Sequence, residues 1–169
     1  RLQNYILLDA SYTFYGWWDW RFCGLIFFSS LVDYFAAIQV ASSHSKRSAK
    51  GWLVLSLVVN LGLLAYFKYA NFFLESFYRL FEGFGLQDSG LLKVVLPVGI
   101  SFYTFQTISY TIDVYRKKIK ATHCLPDYLV YVAFFPQLVA GPIERGAHLL
   151  PQFLKPRRFD LGLASAGMR

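Results

Sequence analysis

Apolar residues occur in five long runs along the chain, and short polar or basic stretches separate them. The run at residues 91–115 has Lys93 and Asp113 as its only charges. As a helix it would extend about 37 Å, more than the ~30 Å hydrocarbon core of a bilayer. The expected fold is therefore all-α, a polytopic membrane helical bundle, with residues 1–169 as a single transmembrane piece of a larger domain. The runs predict helices at about residues 4–18, 21–40, 51–82, 91–115 and 126–143. Pro97 and Gly99 predict a kink near the start of the fourth helix.

The middle of residues 91–115 carries two polar helical faces. Gln106, Ser109 and Asp113 follow one face, and a neighbouring face carries hydroxyls at Ser101, Thr104, Thr107 and Thr111. Polar side chains at membrane depth are tolerated mainly where they meet a partner or a cavity. Two interpretations stay open, namely helix packing and the lining of a cavity. Asp113 has a third option, an ion pair with Arg116 or Lys117.

Residues 4–18 and 21–40 predict a helical hairpin, because the Gly-Trp-Trp-Asp-Trp-Arg stretch between them is dense in aromatic residues. Aromatic residues of this kind concentrate at membrane–water interfaces. Asp9 and Asp33 lie well inside the two runs, where an isolated carboxylate is costly. We expect each to have a partner or to face a wet cavity, and Asp9 has the alternative of lying near a helix end.

Polar residues also recur on one helical face of residues 52–82. They are Lys68, Asn71, Glu75, Arg79 and Glu82. A straight helix of this length would reach about 46 Å. The favoured interpretation is therefore a transmembrane helix that bends into an interfacial one, and a single long helix with a wet stripe is the alternative.

The composition supports embedding in a membrane. The chain is 56% hydrophobic and 20% aromatic, which is too apolar for an ordinary soluble domain of 169 residues. The net charge of +7 is gathered in clusters between apolar runs, which is typical of topology signals and not of nucleic-acid binding. Residues 41–51 and 116–125 hold seven Lys and Arg, against two in residues 16–21 and 83–93. The connections at residues 41–51 and 116–125 should therefore face the cytoplasm, and the turn at 83–90 should lie outside.

Residues 128–143 are apolar, but Pro136, Gly141 and Pro142 interrupt them. They are also shorter than the ~20 residues that a straight span needs. The basic cluster at residues 155–158 should again prefer the cytoplasmic side. These features predict a broken or re-entrant segment near residues 128–143, in which Gly141 provides close backbone approach or a positive φ. A short tilted helix is the alternative.

The sequence contains no common catalytic or metal-binding motif. Cys23 and Cys124 are far apart and support neither a disulfide framework nor a zinc site. The histidines His44, His123 and His148 lie in polar or basic connections. No removable signal is visible, and both ends resemble interior sequence, so we expect a piece of a longer protein.

Two phrases, LPVGISFYTFQTISYTIDVYR and FFPQLVAGPIERGAHLLPQF, resemble the signature of the membrane-bound O-acyltransferases, in particular the bacterial alginate O-acetyltransferase branch. NLGLLAYFKYANFF and YTFYGWWDWRF resemble that branch too, so the resemblance covers nearly everything from Asn4 to Phe153. It implies a multi-pass enzyme of the bacterial inner membrane. Such an enzyme transfers an acyl group, expected to be acetyl, to hydroxyls of an exported polysaccharide such as alginate.

The resemblance also implies a histidine base, which the family places in a Trp-Arg-x-Trp-His context. That context does not occur here, so we expect the base downstream of Arg169 and no catalytic residue or metal ligand in this chain. No bound cofactor is expected, and the acyl donor is left unidentified. The substrate-channel candidates are Gln106, Ser109, Asp113, Gln137, Glu144 and Arg145.

The expected partners are the lipid bilayer, the polysaccharide acceptor, the acyl-donor system and other acetylation proteins, with no nucleic acid. A fragment of a membrane transporter or a non-catalytic membrane scaffold is the alternative, because broken helices and intramembrane polar residues occur there as well.

Overall fold

The computed structural model of the chain describes residues 2–81, 95–141 and 145–155, together with residues 165 and 167. These ranges contain helices and no strand, so the predicted all-α fold is confirmed. Two of the helices, α1 and α2, are long and apolar enough to cross a membrane. The helices are α1 (Leu2–Ser42), α2 (Lys46–Phe81), α3 (Ile100–Tyr115), α4 (Leu125–Ala133), α5 (Phe135–Ala140) and α6 (Gly146–Leu154).

α1 is a helical hairpin and not one straight helix. Asp19 interrupts it with extended backbone angles, φ −159° and ψ 113°. The two arms fold back on each other. A contact between them shows this, in which the Cys23 thiol of the second arm donates to the Tyr12 carbonyl of the first arm at 3.6 Å. We call the turn at Asp19 the tip. The predicted division into helices 4–18 and 21–40 lies at this turn.

Both arms of the hairpin bind the same short segment far from the tip. Asn4 of the first arm donates to the Asp127 carboxylate at 2.6 Å, and the Tyr34 hydroxyl of the second arm donates to the His123 carbonyl at 2.7 Å. The arms are therefore antiparallel along most of their length, and the start of α4 lies between their distal ends.

The basic connections gather at the end of the bundle opposite the tip. α3 begins beside the tip, where the Tyr15 hydroxyl donates to the carbonyl of Val98, and it runs away from the tip. The connection at residues 116–124 therefore lies at the far end, as does the connection at 43–45 that follows the second arm of α1. We call this the basic end, because the clusters at residues 46–50 and 116–120 lie there.

α2 is a single helix of 36 residues, about 54 Å long at ~1.5 Å per residue. The predicted start at residue 51 and the predicted loop at 41–51 are wrong, because the helix already begins at Lys46. Lysine, arginine and alanine favour helix, so a basic cluster does not end one. The favoured division into a transmembrane and an interfacial helix is also wrong, since the described part of α2 runs on without a break to Phe81.

α3 has 16 residues, about 24 Å, so it is shorter than a bilayer core. The predicted helix at 91–115 is wrong at its start, because residues 95–97 are not helical and Gly99 adopts a φ of 76°. Pro97 and Gly99, which predicted a kink, instead precede the helix. Residues 91–94 and the predicted turn at 83–90 lie outside the described residues.

A cluster of buried tyrosines fills the space between α3 and α4. The ring of Tyr110 lies 4.9 Å from that of Tyr128 and 6.0 Å from that of Tyr131. The Tyr110 hydroxyl also accepts from the Thr122 amide at 3.0 Å. α6 begins against this cluster at Gly146, where a Cβ would lie 3.3 Å from both Tyr110 and Tyr131. The cluster therefore fixes α3, α4 and α6 together.

Candidate functional site

Asp33 is fully buried at the centre of a network between α1 and α2. Its Oδ1 accepts from the Ser56 hydroxyl at 2.5 Å and from the Asn60 amide at 2.8 Å. The carbonyl oxygen of the Asn60 side chain accepts in turn from the Ser29 hydroxyl at 2.8 Å. Oδ1 of Asp33 thus has the partners that a carboxylate inside an apolar run requires. Asp9, in contrast, is exposed on α1.

The hydroxyl face of α3 packs against other helices. Thr104, Thr107 and Thr111 are each at most 1% exposed. Thr107 donates to the carbonyl of Thr104 at 3.1 Å, and Thr111 donates to that of Thr107 at 3.2 Å. The hydroxyls of Thr107 and Thr111 thus bond within their own helix. Thr107 also lies beside the Asp33 carboxylate of α1.

The chain breaks between α4 and α5 at Phe134, whose backbone angles are φ −57° and ψ 102°. Pro136, two residues later, has no N–H to continue the helical hydrogen bonds. The predicted break in residues 128–143 is therefore present, and these residues do not form one short tilted helix. It begins two residues before Pro136.

Gly141 ends α5 in a close approach. A Cβ at this position would lie 2.7 Å from the Cα of Gln137, which is closer than real Cβ contacts allow. Its φ of −85° is negative. Of the two reasons predicted for a glycine here, close backbone approach applies and positive φ does not.

Side chains of two other helices bind the backbone at the break. Gln106 of α3 donates from Nε2 to the carbonyl of Tyr131 at 2.8 Å, and the Tyr131 hydroxyl donates back to the Gln106 carbonyl at 3.3 Å. The Phe135 amide donates to the hydroxyl of Ser11 in α1 at 3.4 Å. Gln106 is 1% exposed and Ser11 is 0% exposed. Buried side chains thus satisfy backbone groups at the break, while Pro136 itself is exposed.

The polar face of α3 leads away from the break towards the basic end. Ser109 donates to the carbonyl of Gln106 at 2.8 Å, and Asp113 is buried one turn further along. Among the described residues no ion pair joins Asp113 to Arg116 or Lys117, so the local pairing considered from the sequence is not found. Gln106 and Ser109 are the candidates that the structure brings next to the break.

The remaining channel candidates lie in or after α5. Gln137 is 7% exposed, in the turn of α5 that Gly141 approaches. Arg145 is exposed and precedes α6, where its carbonyl accepts from the His148 amide at 2.9 Å. Glu144 lies outside the described residues.

α6 lies at the basic end, where a Cβ at Gly146 would be 3.5 Å from Ile119 of the connection at 116–124. Asn4 donates to the carbonyl of Phe153 at 2.9 Å, as well as to Asp127 at the start of α4. The Phe153 ring meets the Phe134 ring edge-on, with centroids 5.4 Å apart. The segment from α4 to α6 therefore enters and leaves at the same end of the bundle, and Lys155 is exposed there. A segment that re-enters a membrane would follow such a path, and its placement in a membrane stays a prediction.

Two cavities open at opposite ends of the bundle. One of about 660 Å³ lies at the basic end, with His123, Asp127 and Lys155 among its lining residues. The other, of about 590 Å³, lies at the tip and is lined by aromatic and aliphatic residues that include Trp17 and Trp18. The channel candidates on α3 line neither of these cavities.

Within the described ranges, no group of three or more His, Cys, Asp or Glu could hold a metal ion. Cys23 and Cys124 are not joined by a disulfide there. Besides Gln106, the broken segment is held by residues that the sequence did not single out. Asn4 and Ser11 of α1 bind it from outside, and Asp127 next to it and Tyr131 within it are the contacts of Asn4 and Gln106, respectively.

Comparison with known proteins gives clear relatives. The chain is 45% identical over 154 residues to a Pseudomonas aeruginosa protein named probable alginate O-acetylase AlgI, a match that covers 90% of this chain and 30% of the relative. A protein of the same name from Azotobacter vinelandii is 43% identical over 90% of this chain and 31% of its own length. The chain is homologous to the alginate O-acetylases. The predicted resemblance to this branch of the membrane-bound O-acyltransferases is thereby confirmed.

The chain is also similar to a protein that is named for a different polymer. A Helicobacter pylori protein named peptidoglycan O-acetyltransferase is 31% identical over 93% of this chain and 35% of its own length. The chain spans about a third of the length of the curated relatives it matches. No protein-family model and no solved structure matches it.

Proposed function

We propose that the protein containing this chain is an integral-membrane O-acyltransferase, which transfers an acetyl group to hydroxyls of an exported polysaccharide such as alginate. The observation that carries the proposal is the 43–45% identity, over 90% of the chain, to proteins named as alginate O-acetylases. The relative named for peptidoglycan supports O-acetyl transfer as the reaction while the acceptor polymer varies. The expected location is the bacterial inner membrane, with several spans.

In the proposed reaction a neutral histidine takes the proton of the acceptor hydroxyl. The oxygen attacks the carbonyl of an acyl ester or thioester, a new ester bond forms, and the donor leaves with a proton. General-base help of this kind is worth roughly 10²- to 10⁴-fold in rate. The proposed histidine is expected in a part of the full-length protein that this chain does not cover, and a separate acyl-donor system or partner acetylation proteins would supply the donor.

This chain would provide walls and positioning for that chemistry. The proposed wall residues are the channel candidates Gln106, Ser109, Asp113, Gln137, Glu144 and Arg145. The break at Phe134 supports the proposal, because non-helical backbone at membrane depth occurs where protein or a cavity surrounds it. The re-entrant path from α4 to α6 supports it as well.

A complementation experiment tests the proposed function. The full-length protein is expressed in an alginate-producing strain that lacks its own O-acetylase, and ester-linked acetyl on the polymer is measured by proton NMR. Acetylation should return. A properly inserted full-length protein that restores no acetyl groups would contradict the proposal.

Residues 1–169 expressed alone should give no transfer, since the expected base lies outside them. Acetyl transfer by this piece would make His148, which is exposed in α6, a candidate for the base.

A further inference from the structure

The break at Phe134 removes one particular hydrogen bond from the helix. In an unbroken helix the Phe135 amide would donate to the carbonyl of Tyr131, four residues earlier. Here the same amide donates to the Ser11 hydroxyl, and the same carbonyl accepts from the Gln106 amide. The two side chains therefore occupy the two ends of a single missing hydrogen bond.

This replacement comes from distant parts of the chain. Ser11 is 124 residues away from its partner and Gln106 is 25 away, on α1 and α3 respectively. The orientation of the Gln106 amide is fixed, because only its nitrogen can donate to a carbonyl. Unpaired backbone groups are costly in a membrane interior, so the break needs both partners.

Pro136 explains why a break can occur but not where the broken ends lie. Its missing N–H deprives the Val132 carbonyl of a helical partner, so α4 cannot continue regularly into α5. The position of the broken ends relative to α1 and α3 depends instead on Ser11 and Gln106. We propose that these two are positioning residues for acyl transfer, which hold the α4–α5 break in the geometry that the reaction uses. This inference rests on the proposed function.

The test uses the full-length protein in lipid nanodiscs and two matched pairs of variants. Ser11→Ala is compared with Ser30→Ala, since Ser30 is also fully buried on α1 but bonds to its own helix at the Ile26 carbonyl. Gln106→Met is compared with Thr111→Val, since Thr111 also bonds within its own helix.

The first measurement is hydrogen exchange of the peptide that contains Phe135. Ser11→Ala should raise exchange there about tenfold, because the amide loses its partner, whereas Ser30→Ala should leave it unchanged. Ser11→Thr, which keeps the hydroxyl, should retain protection. Equal exchange in Ser11→Ala and Ser30→Ala would overturn the inference, as would loss of protection in a folded Ser11→Thr protein.

The second measurement is the rate of acetyl transfer. Ser11→Ala and Gln106→Met should each lower kcat about tenfold or more with the KM for the acyl donor unchanged, because a misplaced wall affects the reacting geometry. The double variant should lose no more than the worse single variant, since either loss already displaces the same break. Fully additive losses, or equal losses in the matched controls, would contradict the role.

The two measurements separate two kinds of failure. If the unmodified full-length protein transfers no acetyl group, the proposed function fails, and with it the link to acyl transfer. The hydrogen-exchange result still decides whether Ser11 and Gln106 hold the break. If transfer occurs but exchange and kcat do not respond to these variants, the positioning role alone fails.

Discussion

Two buried polar centres join the helices of this bundle, one at Asp33 and one at the α4–α5 break. Their hydrogen bonds satisfy different kinds of chemical group. At Asp33, side chains of α2 donate to one oxygen of a buried carboxylate, Oδ1. At the α4–α5 break, the side chains of Ser11 and Gln106 satisfy backbone atoms. The first centre keeps its helices regular, whereas the second keeps a helix broken. Damage to the first should therefore lower stability, and damage to the second should mainly lower activity.

The two centres also differ in how local they are. Ser56 and Asn60 are four residues apart on α2, and Ser29 and Asp33 are four apart on α1, so the network follows ordinary helical spacing. The break has no such spacing, because its partners come from helices that are remote in sequence. A polar residue inside an apolar run can thus mark either kind of centre.

The largest expected effect is the loss of the carboxylate at the first centre. Asp33→Leu leaves the Ser56 and Asn60 donors without their acceptor and should cost about 1 to 3 kcal/mol for each buried donor left unsatisfied. Asp33→Asn keeps one acceptor oxygen and should cost about 1 kcal/mol. Thermal unfolding of the full-length protein in detergent measures both. Equal losses in the two variants would show that the acceptor is not what matters.

The second prediction concerns Gly141 at the broken segment. Gly141→Leu places a Cβ against the backbone of Gln137, so α5 must shift, and a shift of about 1 Å can cost roughly 10²-fold in rate. Activity of the full-length enzyme should fall far more than its expression. Leu138→Ile, which keeps the volume, should change little. If both variants keep full activity, the position of α5 does not matter to the reaction.

The smallest effect is expected outside both centres, at the end of α3. Lys117 has a φ of 57°, a left-handed conformation that costs energy for any residue with a Cβ. Lys117→Gly should therefore stabilise the protein by about 0.5 kcal/mol after the entropy of glycine is counted. Lys118→Gly serves as the control and should be neutral or destabilising. A destabilised Lys117→Gly protein would mean that the charge matters more than the backbone.

Much of the fold could be predicted because it follows from local pattern. The hairpin turn at Asp19 lies in the aromatic stretch between two apolar runs, and the break near Pro136 lies where proline and glycine interrupt a short run. The burial of Asp33 with partners follows from its depth in an apolar run. In each case the deciding feature lies within a few residues.

The errors arose where a local signal is ambiguous. A basic stretch predicted a loop at 41–51, but lysine and arginine are good helix formers, and α2 begins inside it. Pro97 and Gly99 predicted a kink, but the positive φ of Gly99 places them before α3. The length of the apolar run could not distinguish a kinked helix that begins at residue 91 from a shorter helix that begins after Gly99.

The partners of the broken segment could not be predicted at all. Ser11 looks like any small hydroxyl residue in an apolar run, and Asn4 and Asp127 are 123 residues apart. Their roles depend on how the α1 hairpin packs against α4. The spacing of residues within one helix does not predict that packing. Gln106 was chosen for its polar face, yet its contact with the Tyr131 carbonyl is visible only in three dimensions.

The central claim is that the chain enters and leaves the broken segment on one side of the membrane. Single cysteines at Trp17, Lys120 and Lys155, all exposed, are labelled with a membrane-impermeant thiol reagent in intact cells that express the full-length protein. Trp17→Cys at the tip should be labelled directly, whereas Lys120→Cys and Lys155→Cys should both be protected until the membrane is permeabilised. Direct labelling of Lys155→Cys together with Trp17→Cys, while Lys120→Cys stays protected, would contradict the re-entrant path.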